Sequence, residues 1–139
     1  MSASAHNILA LDVGSVRIGV ARVNMVAKLP QVLPTLANNE RFAQNLSEII
    51  AEYEIDNILV GLPRNMEGAE TAQTAYVRQF CQDVLDPLGV PYEYIDETLT
   101  SVVATQELES KGAAIQKGDV DAQAAAILLN DYIESHEIQ

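Results

Sequence analysis

The side chains able to do chemistry in this sequence are carboxylates. Asp12 stands inside the apolar run NILALDVG (Asn7 to Gly14), Asp96 and Glu97 follow the run YEYI, and Asp119 and Asp121 open an Ala-rich segment. An aspartate is rare at a buried strand position unless it is hydrogen-bonded, paired or bound to a cation. Each acid also has an ordinary structural explanation. Asp12 can cap the Gly14-Ser15 turn, Asp96 or Glu97 can cap a following helix, and acids are commonplace in a helix's first turn. Taken as a set, drawn from a strand, a strand end and a helix start, they suit a cage for Mg²⁺ or Mn²⁺, hard ions that prefer oxygen ligands. Two such ions can activate water on one side of a phosphodiester and stabilise the leaving oxygen on the other. Other chemistries fall away. One cysteine, Cys81, excludes an intrachain disulfide and a Cys-cluster metal site, and the two histidines, His6 and His136, lie in the terminal tails. That placement argues against a Ser-His-Asp triad or an imidazole zinc site.

The stretch from Asp12 to Val20 (DVGSVRIGV) reads as strand, glycine turn and strand, with backbone N–H groups that can face a phosphate. The chain has only eight Lys and Arg side chains. Three of them, Arg17 in the turn after the first strand, Arg64 in a Pro-Asn-Gly loop and Lys117 ahead of Asp121, can reach the mouth of an acidic site. Each is otherwise a solvated surface cation. Such a rim would supply phosphate contacts rather than base reading.

These residues need elements to hold them. Asn7 to Gly14 is apolar on both alternating sets, as a strand covered on both faces is, and Arg17 to Val23 continues as a hairpin partner. Gln31 to Leu36 predicts a short third strand, with Pro30 and Pro34 favouring a sheet edge. Phe42, Leu46, Ile49, Ile50 and Tyr53 recur at helical spacing, with Asn38 or Asn39 as cap. Asp56 to Gly61 is another two-sided strand, Leu62 to Gly68 a loop, and about Ala69 to Leu85 a second helix closed by Pro87 and Gly89. Tyr92 to Asp96 predicts a third parallel strand. A helix from Thr98 or Thr100 to about Lys111 follows, then a connector and a last helix from about Asp119 to Glu134. The stripe of that last helix is Ala122, Ala125, Ala126, Leu129 and Ile133. Asp121 shares a side with Ala125 and Leu128 and so leans toward the packed face, whereas Asp119 reads as solvated. The order β-β-β-α-β-α-β-α-α predicts an α/β fold, a mixed sheet with helices on both faces. Ligand chemistry in such sheets lies beyond the carboxyl ends of the parallel strands.

At 139 residues and 48% hydrophobic content, one domain spanning 1–139 is expected, with a real core. Acidic residues number 20 against 8 basic, a net charge of −12. That balance speaks against a broad basic surface for nucleic acid, and it is what a cation-recruiting carboxylate site adds to. No apolar run approaches the roughly 20 residues that span a bilayer, and Met1 to Asn7 does not read as a signal peptide. A cytoplasmic protein without membrane partners is the expectation.

Four blocks carry a family resemblance: LALDVGSVRIGVA (Leu9 to Ala21), ILVGLPRNMEGAE (Ile58 to Glu70), DETLTS (Asp96 to Ser101) and KGDVDAQAAAILLNDYI (Lys117 to Ile133). In this order they resemble the YqgF (RuvX) family of bacterial Holliday junction resolvase-like proteins, regarded as pre-16S rRNA nucleases. The resemblance implies an RNase H-like fold with a five-stranded sheet. It also implies that the family's catalytic, metal-holding carboxylates fall on Asp12, Glu97 and Asp121, with Asp119 at a variable position. On this reading the chain is a Mg²⁺- or Mn²⁺-dependent nuclease that cleaves phosphodiester bonds in 5′-end maturation of pre-16S rRNA, with Arg17, Arg64 and Lys117 positioning the backbone. RNA is then the expected partner, and a ribosomal particle a further candidate.

Two departures stand out. Thr98 replaces the family's Arg in the DETLTS block, and Arg64 stands where an apolar residue is usual, adding a cation to the same mouth. Two rival readings follow. One keeps the metal chemistry and acts on four-way DNA junctions. The other is a non-catalytic RNA- or protein-binding factor in transcription or ribosome assembly, favoured by Thr98 and the low basic content. An actin-like ATPase would need a second lobe to enclose its nucleotide, which this length does not provide.

Overall fold

A computed structural model describes residues 6–96 and 117–137, with 117–122 and 135–137 described as backbone only. The strands are β1 (Asn7–Val13), β2 (Arg17–Asn24), β3 (Gln31–Ala37), β4 (Asn57–Leu62) and β5 (Tyr92–Asp96). The helices are α1 (Phe42–Tyr53), α2 (Ala72–Phe80) and α3 (Lys117–Glu137). All five strands form one sheet in the order β3-β2-β1-β4-β5. β1 runs antiparallel to β2 and parallel to β4, β4 is parallel to β5, and β2 is antiparallel to β3. The proline-containing third strand lies at the edge, as its missing amide hydrogens require.

Alternation along β1 divides the core. Leu9, Leu11 and Val13 point to one face and pack with Phe42 and Leu46 of α1 and Val77 and Phe80 of α2. The Phe42 and Phe80 rings meet there with centroids 5.5 Å apart, tilted by 55°. Ile8 and Ala10 point to the other face and pack, with Ala21 and Val23 of β2, against Ala125, Ala126, Leu128 and Leu129 of α3. The small alanines let α3 approach the sheet closely, lying across β2, β1 and β3. Helices therefore cover both faces. Among the described residues, no helix is long and apolar enough to cross a membrane.

Local chemistry moved several boundaries. α1 begins at Phe42, after Arg41, with no side-chain cap. Asn39 instead closes a turn ahead of the helix, its side-chain oxygen accepting the Arg41 N–H at 2.9 Å, while Asn38 is engaged elsewhere. α2 begins at Ala72 rather than near Ala69 because Thr71 and Thr74 form a capping box. The expected continuation to Leu85 is helical but loosens into a π turn over Cys81–Leu85 and a 3₁₀ turn over Asp86–Leu88, and Gly89 ends it at φ 77°. α3 starts at Lys117, two residues before Asp119, its expected first residue. The helix expected from Thr98 or Thr100 to Lys111 lies outside the described residues.

Candidate active site at the carboxyl ends of the parallel strands

Asp12 is the penultimate residue of β1, the strand bonded on both its edges, and it is half-buried where its chain neighbours Leu11 and Val13 are buried. It shares its alternating set with Ile8 and Ala10, so it stands on the α3 face. Its partner across β2 is Gly19. On the other side Leu11 pairs with Val60, and Gly61 is the next residue along β4. Directly opposed residues point to the same face, so Asp12 has a residue without a side chain as its cross-strand neighbour there.

The turn after β1 is tight. Gly14 donates its N–H to the Arg17 carbonyl at 2.9 Å, and a β carbon on Gly14 would stand 2.7 Å from that same oxygen. Only glycine fits without displacing backbone. Arg17 opens β2, half-buried, in the same alternating set as Gly19 and Ala21. Sequence reasoning offered Asn38 or Asn39 as the cap of α1; Asn38 holds this turn instead. Its side-chain amide donates to the Gly14 carbonyl at 2.7 Å and to the Tyr76 hydroxyl at 2.9 Å, and its backbone N–H donates to the Val16 carbonyl at 2.9 Å. An Asn ahead of a helix resembles any N-cap, so nothing in the sequence marked a partner 24 residues away.

Arg64 lies, exposed, in the loop after β4 and donates to the Gly68 carbonyl at 3.3 Å. Asn65 folds that loop by accepting the N–H groups of Glu67 and Ala69, and Gly68 turns the chain at φ 81°. The fully buried Thr74 anchors α2 to the loop's start by donating to the Pro63 carbonyl while accepting the Thr71 N–H. Asp96 ends β5, exposed, opposite Leu62. Asp12, Arg17, Arg64 and Asp96 are therefore all placed at or just beyond the same end of the parallel strands. Glu97 lies outside the described residues, and Lys117 and Asp121 are placed as backbone in the first turns of α3. Among the described residues, no group of three His, Cys, Asp or Glu is arranged to hold a metal ion.

Two other arginines are engaged within the fold. Arg22 stacks over the Tyr53 ring at 4.2 Å and bonds Gln31, and Arg78 grips Glu70 at 2.6 Å and lies 5.1 Å from the centre of the Tyr94 ring. That pairing lowers the Glu70 carboxyl below its usual range. Burial pushes the Cys81 thiol up to about 11, which agrees with its reading as a small core residue.

The family model for RuvX, described as Holliday junction resolvase, matches residues 6–135. The chain belongs to the RuvX family. A relative from Anaeromyxobacter sp. (strain Fw109-5), named "Putative pre-16S rRNA nuclease", is 34% identical over 130 residues, covering 91% of this chain and 95% of its own length. One of the same name from Chloroflexus aggregans is 37% identical over 134 residues, covering 94% of each. Among solved structures, T. thermophilus RuvC in complex with Holliday junction substrate superposes with a TM-score of 0.56 at 15% identity, over 94% of this chain and 95% of that one. The fold of this RuvX-family chain is therefore the RNase H-like one that the family resemblance implied, and its mixed sheet with helices on both faces is what the element order predicted.

Proposed function

We propose that this chain is a nuclease that hydrolyses phosphodiester bonds in 5′-end maturation of pre-16S rRNA, with Asp12, Glu97 and Asp121 as its catalytic carboxylates. The observation that carries the reading is the position of Asp12. A carboxylate stands half-buried at the carboxyl end of the central strand, on the face covered by the helix that contains Asp121. The relatives' shared name supplies the substrate class.

The donor chemistry fits a divalent cation of the Mg²⁺ or Mn²⁺ class. Asp12 offers hard oxygen donors, while the thiol of Cys81 packs in the core on the opposite face. Asp12, Glu97 and Asp121 would hold the ion. When bound, such an ion supplies Lewis-acid activation of water and neutralises charge on the leaving oxygen. The chain's own residues do the rest. The rigid β1 strand fixes the carboxylate, and Arg17 and Arg64 offset phosphate charge at the strand ends, joined by Lys117. Local cations matter here because a net charge of −12 repels a polyanion at long range. The same reading assigns the protein to the cytoplasm, with its RNA presented free or within a ribosomal particle.

The test is cleavage of labelled RNA carrying the 5′ precursor end of 16S rRNA, in Mn²⁺, Mg²⁺ or EDTA. Wild type should cut only with metal. Asp12→Asn, nearly isosteric but uncharged, should stay folded and cut at background. Equal cutting by the variant would sink the assignment. The family's description favours a second reading, cleavage of four-way DNA junctions. Competition between junction DNA and the rRNA precursor separates the two.

A further inference from the structure

The turn that follows Asp12 is held from one side. Two of the three carbonyls inside it are drawn to a single residue, that of Gly14 to the Asn38 side chain at 2.7 Å and that of Val16 to the Asn38 backbone N–H at 2.9 Å. The second hydrogen of the same side-chain amide goes to the Tyr76 hydroxyl at 2.9 Å, so the amide is pinned between the turn and α2. α2 is in turn fastened to the start of the Arg64 loop through Thr74 and Pro63. The described peptide bonds are all trans. In a trans peptide the carbonyl of one residue and the N–H of the next point in opposite directions. Tying the Gly14 carbonyl inward to Asn38 therefore aims the Ser15 N–H away from it, out of the turn. Ser15 is exposed there. At most about 11 Å of extended chain separates Ser15 from Asp12, a distance a bound oligonucleotide spans.

We propose that Asn38 is a positioning residue whose side-chain amide sets this turn so that the Ser15 N–H meets a substrate phosphate beside the cut. The proposal rests on the nuclease reading for the identity of the phosphate. Neutral backbone donors suit this task, because a fixed N–H costs no side-chain entropy when it meets an anion. The contact is made to phosphate in ground state and transition state alike, so its loss should appear in binding rather than in the chemical step.

The first measurement uses no metal, no RNA and no cleavage. The ¹⁵N-labelled full chain is titrated with inorganic phosphate, and the Ser15 amide should shift saturably. In Asn38→Ala the Ser15 shift should be lost while the β1 and β2 amide resonances keep their positions. A wild-type Ser15 amide unmoved by phosphate overturns the proposal without recourse to any variant, as does an equal response in Asn38→Ala. The second measurement is steady-state cleavage of the labelled precursor RNA. Asn38→Ala should raise KM about fivefold with kcat within about twofold of wild type, the pattern of a lost ground-state contact. A fall in kcat at unchanged KM would show that Asn38 acts on Asp12 instead, and would refute the amide contact. If wild type cuts nothing, the nuclease reading fails while the phosphate titration still decides the role of Asn38.

Discussion

Replacing Gly14 with Ala puts a β carbon 2.7 Å from the Arg17 carbonyl oxygen, well inside ordinary contact. The obstructing atom is backbone, and it is also the acceptor of the Gly14 N–H at 2.9 Å, so no side-chain rotation relieves the clash. The turn must open. Losing that hydrogen bond costs about 0.5–1.5 kcal/mol, and the local overpacking adds about 1–3 kcal/mol. Together these give roughly 2–4 kcal/mol. Gly68 provides the contrast. It has no atom within 4 Å of an added β carbon, but its φ is 81°, so Gly68→Ala meets only conformational strain. That strain is about 1–2 kcal/mol, partly offset by a less flexible unfolded chain. Urea unfolding followed by circular dichroism measures both. With a slope of about 2 kcal/mol per molar, Gly14→Ala should lower the midpoint by about 1–2 M and Gly68→Ala by less than about 0.5 M. Because the Gly14 turn follows Asp12 directly, RNA cleavage should fall with Gly14→Ala far more than with Gly68→Ala. A Gly14→Ala midpoint within about 0.3 M of wild type, or a larger loss at Gly68, would refute the steric reasoning.

Two further outcomes follow from the same geometry. Asp56 accepts the backbone N–H groups of His6 and Asn7 at 2.9 and 3.0 Å, which hold its carboxyl below the usual value of 3.8. Its contribution is therefore complete above pH 4 and fades as acid titrates the folded carboxyl, because the unfolded chain takes up the proton first. Asp56→Asn should narrow the gap between melting temperatures at pH 7 and pH 3; an unchanged gap would contradict this. The Cys81 thiol, raised to about 11 by burial, should resist iodoacetamide at pH 8 in the folded protein and react promptly in denaturing urea. Rapid labelling of the native chain would show that the helix carrying it opens readily.

Much of this architecture was readable because the relevant signals are local. The doubly apolar run around Asp12 indicated a strand covered on both faces, and β1 has a neighbour on each edge and a helix layer on each side. Pro34 marked the edge strand, and the alanines before Leu129 marked a helix that sits close to the sheet. Signals that pair distant residues were opaque. Asn38 carries the same N-cap chemistry whether it serves a helix or a turn 24 residues earlier, so its partner could not be inferred. The start of α2 moved because Thr71 and Thr74 bond each other, a reciprocity hidden behind an Ala-Glu pair that already reads as helical. Of the site, Asp12 and Arg17 were legible from one contiguous motif. The acids were grouped by their places at a strand, a strand end and a helix start, while the choice of Glu97 over Asp96 and of Asp121 over Asp119 rested on family resemblance, since no periodicity relates carboxylates so far apart in the chain.

The pairing of α3 with the N-terminal hairpin bears on how the protein is made. Ile8, Ala10, Ala21 and Val23 present an apolar face that Ala125, Leu128 and Leu129 cover, yet all five strands leave the ribosome before that helix does. During synthesis this half of the core waits, uncovered, for its lid. Contacts of such long sequence separation form slowly, and bare sheet faces attract other chains. A message broken between the codons of Asp96 and Lys117 would yield a polypeptide with all five strands and none of this cover, a product for chaperones and proteases to clear.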